Sequence, residues 1–288
     1  MLSKGMNVLV QGITGKEAGF WVERMVEYGT KVPAGVAPGR GGTEVQGIPV
    51  YDSVQEAVSA HKIDASIMFI APRLVESAVF EAVEAGIKLI VVLADGVPVH
   101  DTMKIMAYAE QNGARIIGPN TPGLVFPGDS LIGIMPSWLP HVFKPGSIGV
   151  VTRSGSLGNE VCFQIVQAGF GISNFVGIGG DLLIGTTTVE VLKEFESCPE
   201  TKGIVVVGEL GGNMEEQAAQ FIPEMTKPVV ALIGGKTAPQ GVSMGHAGAI
   251  VEGTAGSVES KQKILAENGA HIADTPFDIG RLLKELLA

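Results

Sequence analysis

At 288 residues the sequence is long enough for one or two α/β domains with a sizeable buried core. Hydrophobic residues make up 45% and charged residues 17%, and the 40 glycines predict many tight turns, so a disordered or fibrous chain is excluded. The formal net charge is -10 with no run of lysine or arginine, which argues against nucleic acid as a partner, because a phosphate backbone needs a basic face. Small polyanions stay open, since backbone N–H groups and helix N-termini bind them locally. Cys162 and Cys198 lack metal-like spacing and read as free thiols in a reduced compartment. The opening MLSKGMNVLVQGITG lacks the apolar stretch and cleavage site of a signal peptide. Apolar runs such as IKLIVVLA fall well short of the roughly 20 residues of a membrane helix. A soluble, cytoplasmic protein with no membrane partner is expected.

Buried-strand runs alternate with helical patterns along the chain, which predicts parallel sheets with crossover helices. In the first half strands are expected at MNVLVQ, TKVPAGV, SIMFI, KLIVVL and ARIIG, with helices over 17–28, 76–85 and 101–112. Gly29, Gly86 and Gly113 follow those helices, as residues in the left-handed C′ conformation do. A second series runs through SIGVVTRSG, FVGIGG, GIVVVGE and VVALIGG. The stretch 121–146 holds five prolines and reads as irregular, so the domain boundary is expected there.

QGITGKEAG follows the first strand and opens the first helix, with glycines at Gly12, Gly15 and Gly19. Such a turn offers backbone N–H groups and a helix dipole to a pyrophosphate. It is not the nicotinamide fingerprint GxGxxG, which needs glycine where Thr14 stands. The acidic residue that would bind a ribose diol is also missing, because the second strand leads into VAPGRGG with Arg40. An arginine there suits a phosphorylated ribose or an adenine ring, as in coenzyme A or, less well, NADP. The same glycines are equally consistent with close helix–strand packing alone.

Of the five histidines, His246 stands apart, in GGKTAPQGVSMGHAGAI, where its small neighbours leave the imidazole open to a large partner. A histidine can act as a covalent nucleophile and carry a phosphoryl group. That role needs an acceptor on its other ring nitrogen and anion-binding amides around the phosphoryl group. Glu209, in VVVGELGG just after a strand, is placed to be the acceptor. Ser154, Gly155 and Ser156, in TRSGSLGNE between a strand and a helix, are placed to bind phosphate. On the residues alone His246 could equally be structural, Glu209 a turn cap and Ser156 an N-cap. GGKT at 234–237 is not a Walker A ending, since Val230 occupies the first glycine position and Pro239 opposes an immediate helix. The chain therefore lacks a triphosphate cradle of its own.

Along nearly its whole length the sequence resembles the α subunit of succinyl-CoA synthetase, through QGITGKEAG, YGTKVPAGVAPGRGG, GPNTPG, TRSGS, GIGGD, GELGG and TAPQGVSMGHAGAI. The wider superfamily includes ATP-citrate lyase, citryl-CoA synthetase and malate–CoA ligase. The resemblance implies a Rossmann-like CoA-binding domain over 1–122, a connecting segment over 123–146 and a flavodoxin-like parallel-sheet ligase domain over 147–288. It implies that His246 is phosphorylated, with Glu209 as its carboxylate partner. It further implies CoA contacts from Gly12, Thr14, Gly15, Lys16, Arg40, Pro72 and Asp95, and acid-substrate contacts from Asn120, Thr121 and Asn159. No metal ligand is expected on this chain. A separate ATP-grasp β subunit, in an αβ or (αβ)₂ assembly, would bind ATP or GTP with Mg2+.

The sequence departs from that pattern in places. SGSLGNE puts Asn159 where succinyl-CoA synthetases carry a tyrosine near the acid, and citrate-active relatives also have asparagine. Succinate remains the expected acid, with malate or citrate as the alternative; Asn159 is equally readable as a neutral helix-surface change. Thr121 replaces a cysteine, Asp95 a glutamate, and the PAP turn becomes Ala71-Pro72-Arg73. Two other functions stand against the ligase. A CoA-binding regulator would not need the histidine, Glu209 and TRSG together, and an NAD(P)-dependent oxidoreductase fails at Thr14.

Overall fold

The computed structural model describes residues 2–238, 245, 246, 249 and 256–287. The first sheet is built from β1 (Asn7–Gln11), β2 (Lys31–Val36), β3 (Glu44–Val45), β4 (Ile48–Tyr51), β5 (Ala65–Met68), β6 (Leu89–Val92) and β7 (Arg115–Ile117). Its strand order is β3-β4-β2-β1-β5-β6-β7, parallel throughout except for the short antiparallel β3–β4 pair. The order reverses between β1 and β5, as in dinucleotide-binding sheets. Helices α1 (Lys16–Tyr28), α2 (Val54–Ala60), α3 (Val75–Glu84) and α4 (Val99–Gln111) cover its faces. Alternation along β1 decides which side each residue serves. Val8 and Val10 join an apolar cluster shared with the second half, and Leu9 joins a separate cluster on the opposite face.

The second sheet contains β8 (Gly123–Phe126), β9 (Ser130–Gly133), β10 (Pro145–Thr152), β11 (Ile172–Gly177), β12 (Gly203–Glu209), β13 (Val229–Gly234) and β14 (His271–Ala273). Its order is β14-β13-β12-β10-β11-β8-β9. The run β11-β10-β12-β13-β14 is the flavodoxin-like 2-1-3-4-5 arrangement, with its reversal between β10 and β12. Helices α5 (Gly155–Gln167), α6 (Thr188–Ser197), α7 (Met214–Phe221), α8 (Val258–Glu267) and α9 (Asp278–Leu287) pack on it.

The stretch 121–146 is not simply irregular. β8 and β9 form an antiparallel hairpin that joins β11, so the second sheet is mixed and not purely parallel. Prolines flank the two strands without interrupting them, which is why their density obscured the hairpin. The hairpin also ties the halves together. Thr30 donates its hydroxyl to Leu131 O at 2.7 Å, and Leu131 N–H donates back to Thr30 Oγ1 at 3.0 Å. Farther along the interface Arg115 pairs with Glu194 and donates to Thr186 Oγ1 at 3.1 Å. The small elements β3, β4 and α2 escape the sequence pattern because they are too short to show a period.

Gly29, Gly86 and Gly113 all take positive φ after their helices. Among the described residues no helix is long and apolar enough to cross a membrane.

The three glycines of the first turn differ in what they do. Gly12 has φ +79°, and a Cβ there would lie 2.3 Å from the carbonyl oxygen of Phe69. Gly19 lies inside α1 with nothing within 4 Å of a Cβ position. Gly12→Ala is expected to destabilise by at least about 1–2 kcal/mol from the backbone conformation alone. Gly19→Ala should be neutral or stabilise by roughly 0.5–1 kcal/mol. Denaturant unfolding of the two variants checks the contrast, and equal effects would contradict it.

Candidate active site

A cavity of about 530 Å³ opens at the C-terminal ends of β1, β5 and β6, beside the first reversal point. Lys16 at the start of α1 and Asp95 after β6 line it, with Trp21, Phe69 and Leu93 as apolar wall. Gly12 lies beneath, where its missing side chain lets the β1 turn meet the Phe69 peptide. An apolar wall beside a lysine and an uncapped helix N-terminus suits a ligand with a flat ring and phosphates. Gly15 also lines the cavity, whereas Thr14, Pro72 and Arg40 do not. Arg40 is exposed in the loop after β2, where its carbonyl accepts from Thr43 Oγ1 at 2.7 Å. Thr14 lies in the turn between β1 and α1, and Pro72 opens the short 3-10 turn after β5.

The histidine site forms at the second reversal point. β12 ends on Glu209, whose side chain is 11% exposed, and its carboxylate accepts from Nδ1 of His246 at 2.8 Å. The imidazole packs against Gly180, where a Cβ would lie 2.4 Å from His246 Cγ. The hydrogen bond to Glu209 is the main cause that holds the His246 pKa above its ordinary 6.5; burial opposes it, and the Glu209 charge adds to it. With Nδ1–H committed to the carboxylate, the neutral ring carries its lone pair on Nε2.

Two charged neighbours were not singled out from the sequence. Arg153, between β10 and α5, is 2% exposed, and its Nε lies 3.3 Å from Glu209 Oε1. That is ion-pair distance without hydrogen-bond alignment, and Nε and Nη1 have no hydrogen-bond partner among the described residues. Asp181 follows Gly180, and burial pushes its carboxyl pKa up, against a lowering hydrogen bond from Asn120. An arginine directly after an apolar strand end and the aspartate of GIGGD were the available signals.

Asn120 connects the two sites. Its N–H donates to Ala94 O in the cavity wall at 2.9 Å, and its carbonyl accepts from Gly180 N–H at 3.1 Å. Its side chain donates to Asp181 Oδ1 at 3.0 Å, from a left-handed backbone at φ 55°. Thr121 is held within the protein by its own hydrogen bonds. It is 3% exposed, its hydroxyl donates to Gly177 O, and it accepts from Gly123 N–H at 2.9 Å. The N-cap of α5 is Ser154, which accepts from Leu157 N–H at 3.4 Å, and not Ser156 as the alternative reading had it. Ser156 is exposed in the first turn, and Gly155 opens the helix. Asn159 lies in α5 with its Oδ1 buried and without a donor among the described residues. Lys236 of the GGKT stretch follows β13 in a turn and pairs with Asp274 at 3.1 Å. Among the described residues no group of three or more His, Cys, Asp or Glu could hold a metal.

Comparisons with known proteins cover both halves of the chain. Residues 3–96 match the CoA binding domain family and residues 151–271 the CoA-ligase family. The chain is 51% identical over 280 residues to the succinate–CoA ligase [ADP-forming] subunit alpha 2 of Archaeoglobus fulgidus, covering 97% of this chain and 96% of that one. The chain belongs to the α-subunit family of NDP-forming acid–CoA ligases. It is likewise 50% identical over 287 residues to a subunit of the ADP-forming sulfoacetate–CoA ligase of Acholeplasma sp, covering 99% of this chain and 97% of that one. Among solved structures, ATP citrate lyase of Methanosaeta concilii in complex with (3S)-citryl-CoA superposes with a TM-score of 0.90 at 26% identity. That match covers 99% of this chain, which spans half the length of the lyase chain. With the family go the reaction class and the use of CoA and a nucleotide, and membership among α subunits implies a partner subunit.

Removing the Glu209 charge tests the electrostatics. In Glu209→Gln the effects that remain on His246 are burial and Arg153, which lower its pKa, against Asp181, which raises it. The His246 pKa should therefore fall from above 6.5, and NMR titration of the ring protons reads the shift. An unchanged value would show that Glu209 does not set it.

Proposed function

We propose that His246 is the phosphoryl carrier of this ligase subunit. The observation that carries the reading is the 2.8 Å hydrogen bond from Nδ1 to the nearly buried Glu209 carboxylate, which directs nucleophilicity to Nε2. Nε2 attacks the γ-phosphorus of a nucleoside triphosphate; an N–P bond forms, a P–O bond breaks and the diphosphate leaves. The ring then carries positive charge, which Glu209 neutralises across Nδ1–H. A carboxylate oxygen of the acid next takes the phosphoryl group from Nε2, giving an acyl phosphate. Coenzyme A supplies the thiol that attacks the acyl carbon and releases phosphate. The N-terminus of α5, with Gly155 and Ser156, provides donors for the phosphoryl oxygens.

The division of labour follows the two reversal points. Residues 1–122 hold CoA through the cavity at Gly15, Lys16 and Asp95, and 147–288 hold the histidine. The segment 123–146 joins them, with its hairpin in the second sheet. The triphosphate and its Mg2+ reside on an ATP-grasp β subunit, in a cytoplasmic αβ or (αβ)₂ complex.

For the acid, the two relatives near 50% identity are named for succinate and for sulfoacetate, both short dianions, and we assign that class here. The buried Oδ1 of Asn159, without a donor among the described residues, favours a second reading, a hydroxy acid such as malate or citrate whose O–H could satisfy it.

Phosphorylation of the complex isolated from its source tests the whole scheme. Acid-labile, base-stable label from ATP or GTP is expected on this chain and absent in His246→Asn. Its rate should rise with pH as the ring deprotonates, through a midpoint above 6.5. Chasing with CoA and succinate, sulfoacetate, malate or citrate in separate tubes names the acid. Release by succinate or sulfoacetate supports the dianion, and release by a hydroxy acid alone transfers the assignment to the Asn159 reading. No label in a complex containing the β subunit would overturn the carrier role.

A further inference from the structure

Beneath the loop that follows β12 lies a buried ion pair that the chemistry above does not use. Lys261 on α8 and Glu215 on α7 are both 0% exposed. Nζ of Lys261 contacts Oε2 of Glu215 and donates to Gly211 O at 2.6 Å. The other carboxylate oxygen, Oε1, accepts from the backbone N–H of Glu209 at 3.2 Å. Gly208 makes room for it, since a Cβ there would lie 2.6 Å from Glu215 Oε1.

The need for such an acceptor comes from the sheet. The N–H of Leu210 bonds to Gly234 on β13, so the N–H of Glu209 faces the opposite side, toward β10. β10 ends at Thr152 and turns into α5, leaving that buried N–H without a strand acceptor. Glu215 supplies one. A buried ion pair is a poor source of stability, because desolvating two charges offsets their attraction, and apolar replacements are often as stable. What this pair does provide is an acceptor oxygen held in one position, by a lysine on one side and a helix on the other.

We propose that Glu215 and Lys261 are positioning residues for the phosphoryl transfer: they hold the peptide of Glu209 and thereby aim its carboxylate at Nδ1 of His246. The inference rests on the phosphohistidine reading above. Two doubly neutral variants isolate the contact. Glu215→Gln with Lys261→Met keeps an acceptor oxygen for the Glu209 N–H, and Glu215→Leu with Lys261→Met removes it. In the complex with the β subunit, the rate of His246 labelling from saturating ATP, the thermal midpoint and CoA affinity are measured together. The leucine variant is expected to label roughly 10- to 100-fold more slowly than the glutamine variant, with matching midpoint and CoA affinity. Gly208→Ala, which crowds the Glu215 carboxylate without removing a charge, should show the same slowing with CoA affinity kept. Labelling of the leucine variant at the wild-type rate overturns the positioning role, as does wild-type labelling of Gly208→Ala if the leucine variant fails to fold. Absence of label in the unmodified complex would instead remove the carrier assignment, so the two failures are told apart.

Discussion

The hydrogen bond between His246 Nδ1 and Glu209 places two polar groups in a poorly solvated spot, and the surrounding structure is organised around making that placement tolerable. An ionised carboxylate this far from water needs compensation from donors and cations. Glu209 has the imidazole N–H within reach of both oxygens and the Arg153 guanidinium beside Oε1. Its position comes from β12, whose seven residues are all buried, so that the strand end cannot shift without disturbing the core. The imidazole is held from behind by Gly180, the only residue type that lets a backbone lie this close to the ring.

Both ligand sites obey the same topological rule. In each sheet the strand order reverses beside a central strand, and adjacent loops diverge there and open a crevice at the C-terminal ends. What makes one machine of two crevices is the path between them. Asn120 reaches the wall of the first cavity with its N–H, the backbone behind the histidine with its carbonyl, and Asp181 with its amide. The β8–β9 hairpin and the Arg115–Glu194 pair brace the halves on either side of that path. A displacement of one crevice therefore strains contacts of the other.

The charges buried in the second half are costly in a fold only marginally stable overall. Arg153, Glu215 and Lys261 all lie within the loops and helix starts around Glu209. Their concentration at one strand end, while the sheets themselves are built of apolar residues, is the pattern of a site for which geometry outweighs stability.

Much of this was legible in the chain. Apolar runs of strand length separated by helical periods determined two parallel-dominated α/β units, because burial on both faces of a parallel sheet demands continuous hydrophobic strands. The glycine turn after β1, and a histidine with a glutamate at a strand end, were the local signals for the two candidate sites, because each chemistry restricts residue type over a few consecutive positions. Tertiary structure decided the rest. The β8–β9 hairpin exists because it pairs with β11, a partner about fifty residues away that no local pattern announces. Arg40, Thr121 and Lys261 show the same limit in side chains. Arg40 is exposed in the loop after β2, Thr121 is turned inward onto Gly177, and Lys261 is drawn from a polar helix into contact with Glu215. A side chain's partners depend on where distant backbone passes, and that is fixed only when the sheets close around their cores.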